Sequence, residues 1–409
     1  MAFVTENYPT HNLPQGAAAL LIALATPTQN GLTGIPVLLW GRPGVGKSSF
    51  IEALATDDFP VTTLIASIHD PTDFSGLPVL EDGKVRYAIP RWVDDFTETQ
   101  QGILFLDELS TAPPSVQSAL LRVVFERRVG FHELPGGVRI VAAANPPDLM
   151  VGGWELSPPL RNRFLHLTWD IDSDLYVNAL LAGWERGQLR QIDSAKHSEE
   201  LAMVKARVAA FLRIQPEYLH ASPEDNPYGF ASPRSWDFVA ALFASATCLG
   251  YDLQDTQSNQ VYLELATGCL GEGIAIALLE YLQNLRLPAP AELLSGETTV
   301  DVTDLNDGEL YVLFASLNPY LKQAVGTDHL LPYSKVYLDL MAATFDDGRR
   351  DIAFVPLRDL ARSGWLPEVF ASVQRNDSGA AAGAGEGITE RIERFFADEG
   401  LQQFVDALG

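Results

Sequence analysis

The sequence has little cysteine, little positive charge and no apolar run long enough to cross a membrane. Its only cysteines are Cys248 and Cys269. Both lie in apolar stretches that read as helical, so buried free thiols in a reducing cytoplasm are expected rather than a disulfide framework. Only 28 basic residues stand against 53 acidic ones, a net charge of −25. That balance argues against duplex DNA or an anionic membrane as the main partner, because both are bound through basic patches. The apolar stretch Ala17–Ala25 is too short to span a bilayer. The N-terminus carries Glu6 and no basic region before an apolar core, so no secretory signal is expected. The seven histidines show no metal-ligand spacing, and H-E-x-x-H, C-x-x-C and G-x-S-x-G are all missing. Zinc and serine hydrolase chemistry therefore have no support, and His132 and His166, in strand-like runs, read as structural.

What is present is an ordinary soluble composition, 47% hydrophobic and 20% charged over 409 residues, enough for two or three domains. Within it stands Gly41-Arg42-Pro43-Gly44-Val45-Gly46-Lys47-Ser48, which reads G-x-x-x-x-G-K-[ST]. The apolar Val37–Trp40 before it suits a buried strand, and Ser49–Leu54 after it can open a helix. In that context the glycines let backbone N–H groups converge on phosphates, and the helix N-terminus adds partial positive charge. Lys47 then reaches the β- and γ-phosphates, and Ser48 holds Mg²⁺.

Two further strands end on polar groups. Gly102–Leu106 is a buried apolar run followed by Asp107 and Glu108. Asp107 is placed to hold Mg²⁺, and Glu108 to polarise a water that attacks the γ-phosphate. Ile140–Ala144 ends at Asn145, which can bond that water or the γ-phosphate. Strands are also expected at Val61–Ile65 and Phe164–Trp169. Ligands of open parallel α/β sheets bind beyond the carboxyl ends of the strands, so one nucleotide site accounts for all three features.

Around these, Glu81-Asp82-Gly83 predicts a hairpin between 79–80 and 84–88, and Pro90–Phe96 a short helix. A second hairpin is expected between Arg128–Phe131 and Val138–Ile140, around Pro135-Gly136-Gly137. From about Asp170 the pattern turns helical, over Asp174–Trp184, Glu199–Leu212, Pro233–Cys248 and Val261–Leu285. Ser232 and Pro233 mark a helix start that puts Arg234 on the first turn. Arg161 and Arg163, just before the fifth strand, can neutralise charge on a transferring phosphoryl group, often from a neighbouring subunit.

In their order these motifs resemble an AAA+ ATPase, more narrowly the MoxR-like, dynein-related branch, from about Pro36 to Trp236. Gly41–Ser48 resembles its Walker A and Leu104–Glu108 its Walker B, with Asn145 at sensor 1 and Arg234, in Ser-Pro-Arg, at sensor 2. Arg163 matches the arginine of the family's Asp-Arg-Phe element and is the first choice for a trans-acting finger, with Arg161 second. Ser110-Thr111 stands where Asn-Arg is more usual. His69–Asp95 falls at the clade's helix-2 insertion and Arg128–Ile140 at its pre-sensor hairpin, elements that face the ring axis or the partner.

The resemblance implies an α/β fold: a P-loop αβα core whose parallel sheet has strand order 5-1-4-3-2, a helical lid and a mostly helical C-terminal extension. The expected divisions are a large ATPase subdomain over 1–170 with an insertion at about 69–98, and a lid over 171–290. An extension over 291–375, a Gly/Ala linker over 376–387 and a last helix over 388–409 follow. It further implies ATP with Mg²⁺, the phosphates held by Gly41–Ser49 and Arg234. The site would lie between subunits, with Lys47, Ser48, Asp107, Glu108, Asn145 and Arg234 from one and Arg163 from the next. The implied assembly is a homo-hexameric ring acting as a chaperone on a protein partner, one with a von Willebrand factor A-like or metallopeptidase-like domain. The alternatives are a nucleotide-gated switch with little turnover and a DNA-processing motor subunit, the latter disfavoured by the acidic charge.

Overall fold

The computed structural model describes residues 13–28, 31–149, 153–182, 189–285 and 287–377. After α1 (Ala17–Ala25), an apolar helix buried along almost its whole length, come β1 (Val37–Trp40) and the short α2 (Lys47–Glu52). Then follow β2 (Val61–Ile65), α3 (Thr72–Ser75) and the hairpin of β3 (Leu77–Glu81) with β4 (Lys84–Ala88). Next are β5 (Gln101–Asp107), α4 (Pro114–Glu126), β6 (Arg128–Val129) and β7 (His132–Glu133). The αβ part closes with β8 (Gly137–Ala144), α5 (Pro158–Arg161) and β9 (Leu165–Thr168).

Five strands form one sheet in the order β2-β5-β8-β1-β9, every neighbouring pair parallel. Numbered among themselves and read from the β9 edge, they give the expected 5-1-4-3-2. β1, residues 103–106 of β5 and residues 140–144 of β8 are apolar without alternation because both faces of the sheet are covered. The chain reverses its lateral direction around β1, which puts the loop after Trp40 at a topological switch point.

The first hairpin turns at Asp82 and Gly83, both at positive φ, as an Asp-Gly turn requires. The second differs from its expected form. β6 pairs with β7, Arg128 opposite Glu133 and Val129 opposite His132, and the chain turns at Gly130, φ 60°. Gly136-Gly137 serves strand packing instead, since a Cβ on Gly137 would lie 2.5 Å from the Gln100 carbonyl of the neighbouring strand segment. The two hairpins meet edge to face at Tyr87 and Phe131, with ring centroids 5.4 Å apart.

The helical part holds α6 (Ser173–Ala182), α7 (Ser194–Ile214), α8 (Pro233–Cys248), α9 (Thr256–Leu270) and α10 (Glu272–Asn284). The single helix expected over Val261–Leu285 is thus two. Asp255 caps α9, which starts at Thr256, five residues before the expected Val261, and Gly271, φ 90°, ends it. Then come α11 (Pro290–Ser295), α12 (Asp307–Ala324), α13 (Leu330–Asp346), α14 (Arg350–Ala361) and α15 (Trp365–Asp377). All but the first two residues of the expected linker 376–387, and the whole of 388–409, lie outside the described residues.

The described residues form two compact units, one within 13–204 and 216–280, the other within 205–215 and 281–377. The first holds the sheet together with α8 and α9. The second has a core of its own, in which Tyr337 packs edge-on against Phe314 and Trp365. The Trp365 indole there donates to Ser334 Oγ at 2.9 Å, satisfying a polar atom that burial would otherwise strand. Among the described residues no helix is long and apolar enough to cross a membrane.

Candidate functional site

The loop after β1 is built so that only glycine fits where the backbone must turn. A Cβ on Gly41 would lie 2.6 Å from the Trp169 carbonyl, and Gly44 and Gly46 have φ of 82° and 78°. The Gly41 N–H donates to the Ala144 carbonyl at 3.2 Å, which pins the loop to the end of β8. Lys47 opens α2, and its Nζ donates to the carbonyls of Gly41 at 2.6 Å and Arg42 at 3.1 Å. Burial lowers the pKa of this ammonium, while Asp107 pulls the other way.

Ser48 Oγ donates to Asp107 Oδ2 at 2.8 Å, and Asp107 Oδ1 accepts the Glu108 N–H at 2.8 Å. The strand end and the loop are thus joined through two hard oxygen groups, a donor set suited to Mg²⁺. Glu108 sits in the left-handed region, φ 55° and ψ 37°. A non-glycine residue there costs roughly 1–3 kcal/mol, and the turn is held by Thr111, whose hydroxyl donates to the Glu108 carbonyl at 2.8 Å. Thr111 therefore supports the acid that precedes the Ser110-Thr111 pair. The Glu108 carboxylate in turn accepts from Ser67 Oγ at 3.1 Å, just past β2. Asn145 is half-buried and leaves β8 level with Gly41, because Trp40 pairs with Ala144. Lys47, Ser48, Asp107, Glu108 and Asn145 thus converge on one end of the sheet.

The arginines lie at the other end. β9 runs parallel to β1 with Leu165 beside Val37, so Arg161 to Arg163 precede the first residue of β1, whereas the P-loop follows its last. Arg161 is 9% exposed; its Nη1 and Nη2 donate to the carbonyls of Asn226 at 2.6 Å and Pro223 at 2.8 Å. Both terminal nitrogens hold a loop, so Arg161 is a structural guanidinium. Arg163 lies over the Phe125 ring, 5.1 Å from its centroid, and Arg234 over the same ring at 4.6 Å. Arg234 also donates to Asn162 Oδ1 at 3.3 Å.

The expectation that Arg234 joins its own chain's P-loop therefore does not match its position. The loop of residues 223–232 returns to the start of β9 and delivers α8 there. Burial lowers the pKa of both guanidiniums; for Arg163 the charge of Arg234 adds to this and Glu126 partly offsets it. Arg163 also donates to the Pro159 carbonyl, so two guanidiniums, each bonded once within the chain, concentrate positive charge on one ring.

Sequence reasoning assigned no role to Ser67, Phe125 or Asn162. Ser67 is a small polar residue next to Asp107's neighbour strand, since Ile65 pairs with Asp107. Phe125 is an aromatic lying off the buried stripe of α4 and 49% exposed, which was the available signal. Asn162 exchanges hydrogen bonds with Ser232, the cap of α8, at 2.9 and 3.1 Å, a pairing visible only in three dimensions.

A parallel sheet of this order, with a P-loop at its switch point and a paired Asp-Glu on the strand two places away, defines a P-loop nucleotide-binding protein of the AAA+ class. Residues 36–164 match the family described as AAA domain (dynein-related subfamily). Among curated proteins it is similar to chaperone MoxR1 of Mycobacterium tuberculosis, 31% identical over 135 residues, 32% of this chain and 34% of that one. It is also similar to the Nif-specific regulatory protein of Rhizobium meliloti, 31% identical over 142 residues, 32% of this chain and 26% of that one. The Psp operon transcriptional activator of Escherichia coli is 36% identical over 119 residues, 27% of this chain and 37% of that one. The chain thus spans about a third of the length of the curated relatives it matches. A solved structure from Cytophaga hutchinsonii aligns at a TM-score of 0.40 with 17% identity, over 66% of this chain and 91% of that one, too loose a likeness to argue from.

Proposed function

We propose that this chain is an ATP hydrolase whose active sites form between subunits of a ring, and that it spends turnover on remodelling, assembling or activating a partner protein. The observation that carries this reading is the separation of the two halves of the site. Arg163 and Arg234 share one ring at the amino ends of the strands, while the P-loop and the acids sit at the carboxyl ends. Within one chain they do not meet, and a ring in which one subunit's amino-end face lies against the next subunit's P-loop would bring them together.

In this reading the N–H groups of the loop Gly41–Ser49, those of Arg42 and Val45 among them, cradle the phosphates, Pro43, which has no N–H, fixes the turn between them, and Lys47 turns from the loop carbonyls to the β- and γ-oxygens. Mg²⁺, held by Ser48 and Asp107, would neutralise phosphate charge. Glu108 orients and deprotonates the attacking water, with Asn145 as its polar neighbour. Arg163 and Arg234 of the next subunit stabilise the charge on the transferring group, and Arg161 holds the loop beside them. A ring of six, a cytoplasmic setting, the 171–290 lid and the 291–375 extension belong to the same reading. The hairpins β3–β4 and β6–β7 are the surfaces we assign to the partner, one with a von Willebrand factor A-like or metallopeptidase-like domain. They carry Leu80 at 78% and Phe131 at 77% exposure.

The test is particle mass and turnover together, for wild type and Glu108→Gln, with and without ATP. An ATP-dependent ring whose turnover collapses in Glu108→Gln, while nucleotide still binds, is expected. A particle that stays monomeric with ATP removes the shared site.

One observation favours a second reading, a nucleotide-gated switch with little turnover. Ser67 holds the Glu108 carboxylate. A basal rate no higher than that of Glu108→Gln, unchanged on adding a partner, would select the switch.

A further inference from the structure

Trp40 closes the strand that feeds the P-loop, and its indole Nε1–H donates to His166 Nδ1 at 2.9 Å. The other ring nitrogen, Nε2, lies 2.9 Å from the carbonyl oxygen of Arg161. An indole only donates, so Nδ1 accepts, the proton resides on Nε2, and Nε2 donates to Arg161. The ring is buried between these partners, and burial lowers its pKa to about 4, so it keeps this neutral tautomer at neutral pH.

The Arg161 carbonyl is the pivot of the turn that presents Arg163. It also accepts the Phe164 N–H at 3.1 Å. The Arg161 side chain ties the turn to Pro223 and Asn226, and Asn162 ties it to the cap of the helix that begins with Pro233 and Arg234. Both guanidiniums over Phe125 therefore take their position from one turn, and that turn takes its position from a histidine on β9.

We propose that His166 is a positioning residue for the arginine pair: through the Arg161 carbonyl it sets the turn from which Arg163 and, by way of Asn162 and Ser232, Arg234 reach a neighbouring subunit's nucleotide. This rests on the reading that the arginines act across a subunit boundary. No atom of His166 touches substrate.

The experiment uses co-assembly of two crippled full-length chains. Arg163→Ala subunits keep an intact P-loop, and Lys47→Ala subunits keep intact arginines, so an equimolar mixture recovers ATP turnover only at sites built from one of each. His166→Asn keeps an acceptor near the Nδ1 position for Trp40 and loses the donor to Arg161. Placed in the Lys47→Ala subunits, which supply the arginines, it is expected to cut the recovered turnover roughly tenfold or more, since small misplacements of a charge-stabilising group are costly. Placed in the Arg163→Ala subunits, which supply the P-loop, it is expected to leave recovery within about twofold. His166→Gln, whose amide N–H comes close to the Nε2 position, restores the arginine-supplying arm.

Equal losses in both arms, or no loss in the arginine-supplying arm, overturn the proposal. No recovery in the control mixture overturns the cross-subunit reading, and the positioning role with it. If His166→Asn subunits do not co-assemble, Trp40→Phe, which frees Nδ1 while keeping an aromatic ring in place, is read for the same asymmetry between arms, and its absence counts against the proposal.

Discussion

At the carboxyl ends of the parallel sheet each functional group follows its strand within a few residues. At the amino ends the groups come from three separate segments, Phe125 on α4, Asn162 and Arg163 after α5, and Arg234 on α8. The first end is pre-bonded, with Ser48 on Asp107 and Lys47 on its own loop carbonyls. The second holds two guanidiniums whose charges oppose each other. One end offers N–H groups and an ammonium in a cradle, the other offers two guanidiniums held over one ring, each also bonded within the chain. On the shared-site reading proposed above, a subunit with both ends completes a site only by meeting another copy, and it contributes to two sites at once.

The largest expected effects come from breaking one end alone. Lys47→Ala should abolish nucleotide binding, measured by calorimetry, and Glu108→Gln should lower turnover by about 10²–10⁴-fold with binding intact. Arg163→Ala should lower turnover by about 10³-fold or more, with little change in nucleotide affinity at the unaltered P-loop. If Arg163→Ala instead weakened binding by isolated monomers, the two ends would not be separate sites.

Arg161→Ala sharpens the contrast between neighbouring arginines. It should lower stability by about 2–4 kcal/mol, because two carbonyls lose their donors, seen as a lower unfolding midpoint before any specific loss of turnover. Ser67→Ala should raise basal turnover by roughly twofold to fivefold by freeing Glu108 to meet water, read in a steady-state assay.

A last effect is on pH dependence. The folded pKa of His166, about 4, lies below the ordinary histidine value. The unfolded chain therefore binds this proton first, and the stability the neutral ring contributes is fully present above about pH 6.5 and is lost as pH falls towards 4. One proton contributes a slope of at most about 1.4 kcal/mol per pH unit. Unfolding midpoints across that range should fall less steeply in His166→Gln than in wild type.

The difference between the ends also explains what could be read from the sequence. The P-loop, Asp107-Glu108 and Asn145 were legible because their chemistry sits next to apolar strands, so motif and context lie in one short window. The sheet order followed from the resemblance those motifs carry. The arrangement of Arg163 and Arg234 around Phe125 was not legible, because it depends on the 223–232 loop returning to the start of β9, and on the Asn162–Ser232 exchange that fixes it. The helix break at Gly271 was hidden because Gly occurs both in helices and at their ends, and only its φ distinguishes the two. The unit over 281–377 carries helical patterning with no chemical motif, so its separate core could not be assigned a task from sequence.

Gly268 and Gly229 bring one more consequence. A Cβ on Gly268 would lie 2.2 Å from the His166 carbonyl, and one on Gly229 would lie 2.2 Å from the Gly268 carbonyl. Helix, strand and loop are stacked backbone on backbone. The outermost strand of a sheet ordinarily leaves a row of bare peptide groups that a stray extended chain can zip onto. Here that flank is roofed by a helix lying too close for a strand to slip between, which closes the sheet's edge to unwanted strand pairing.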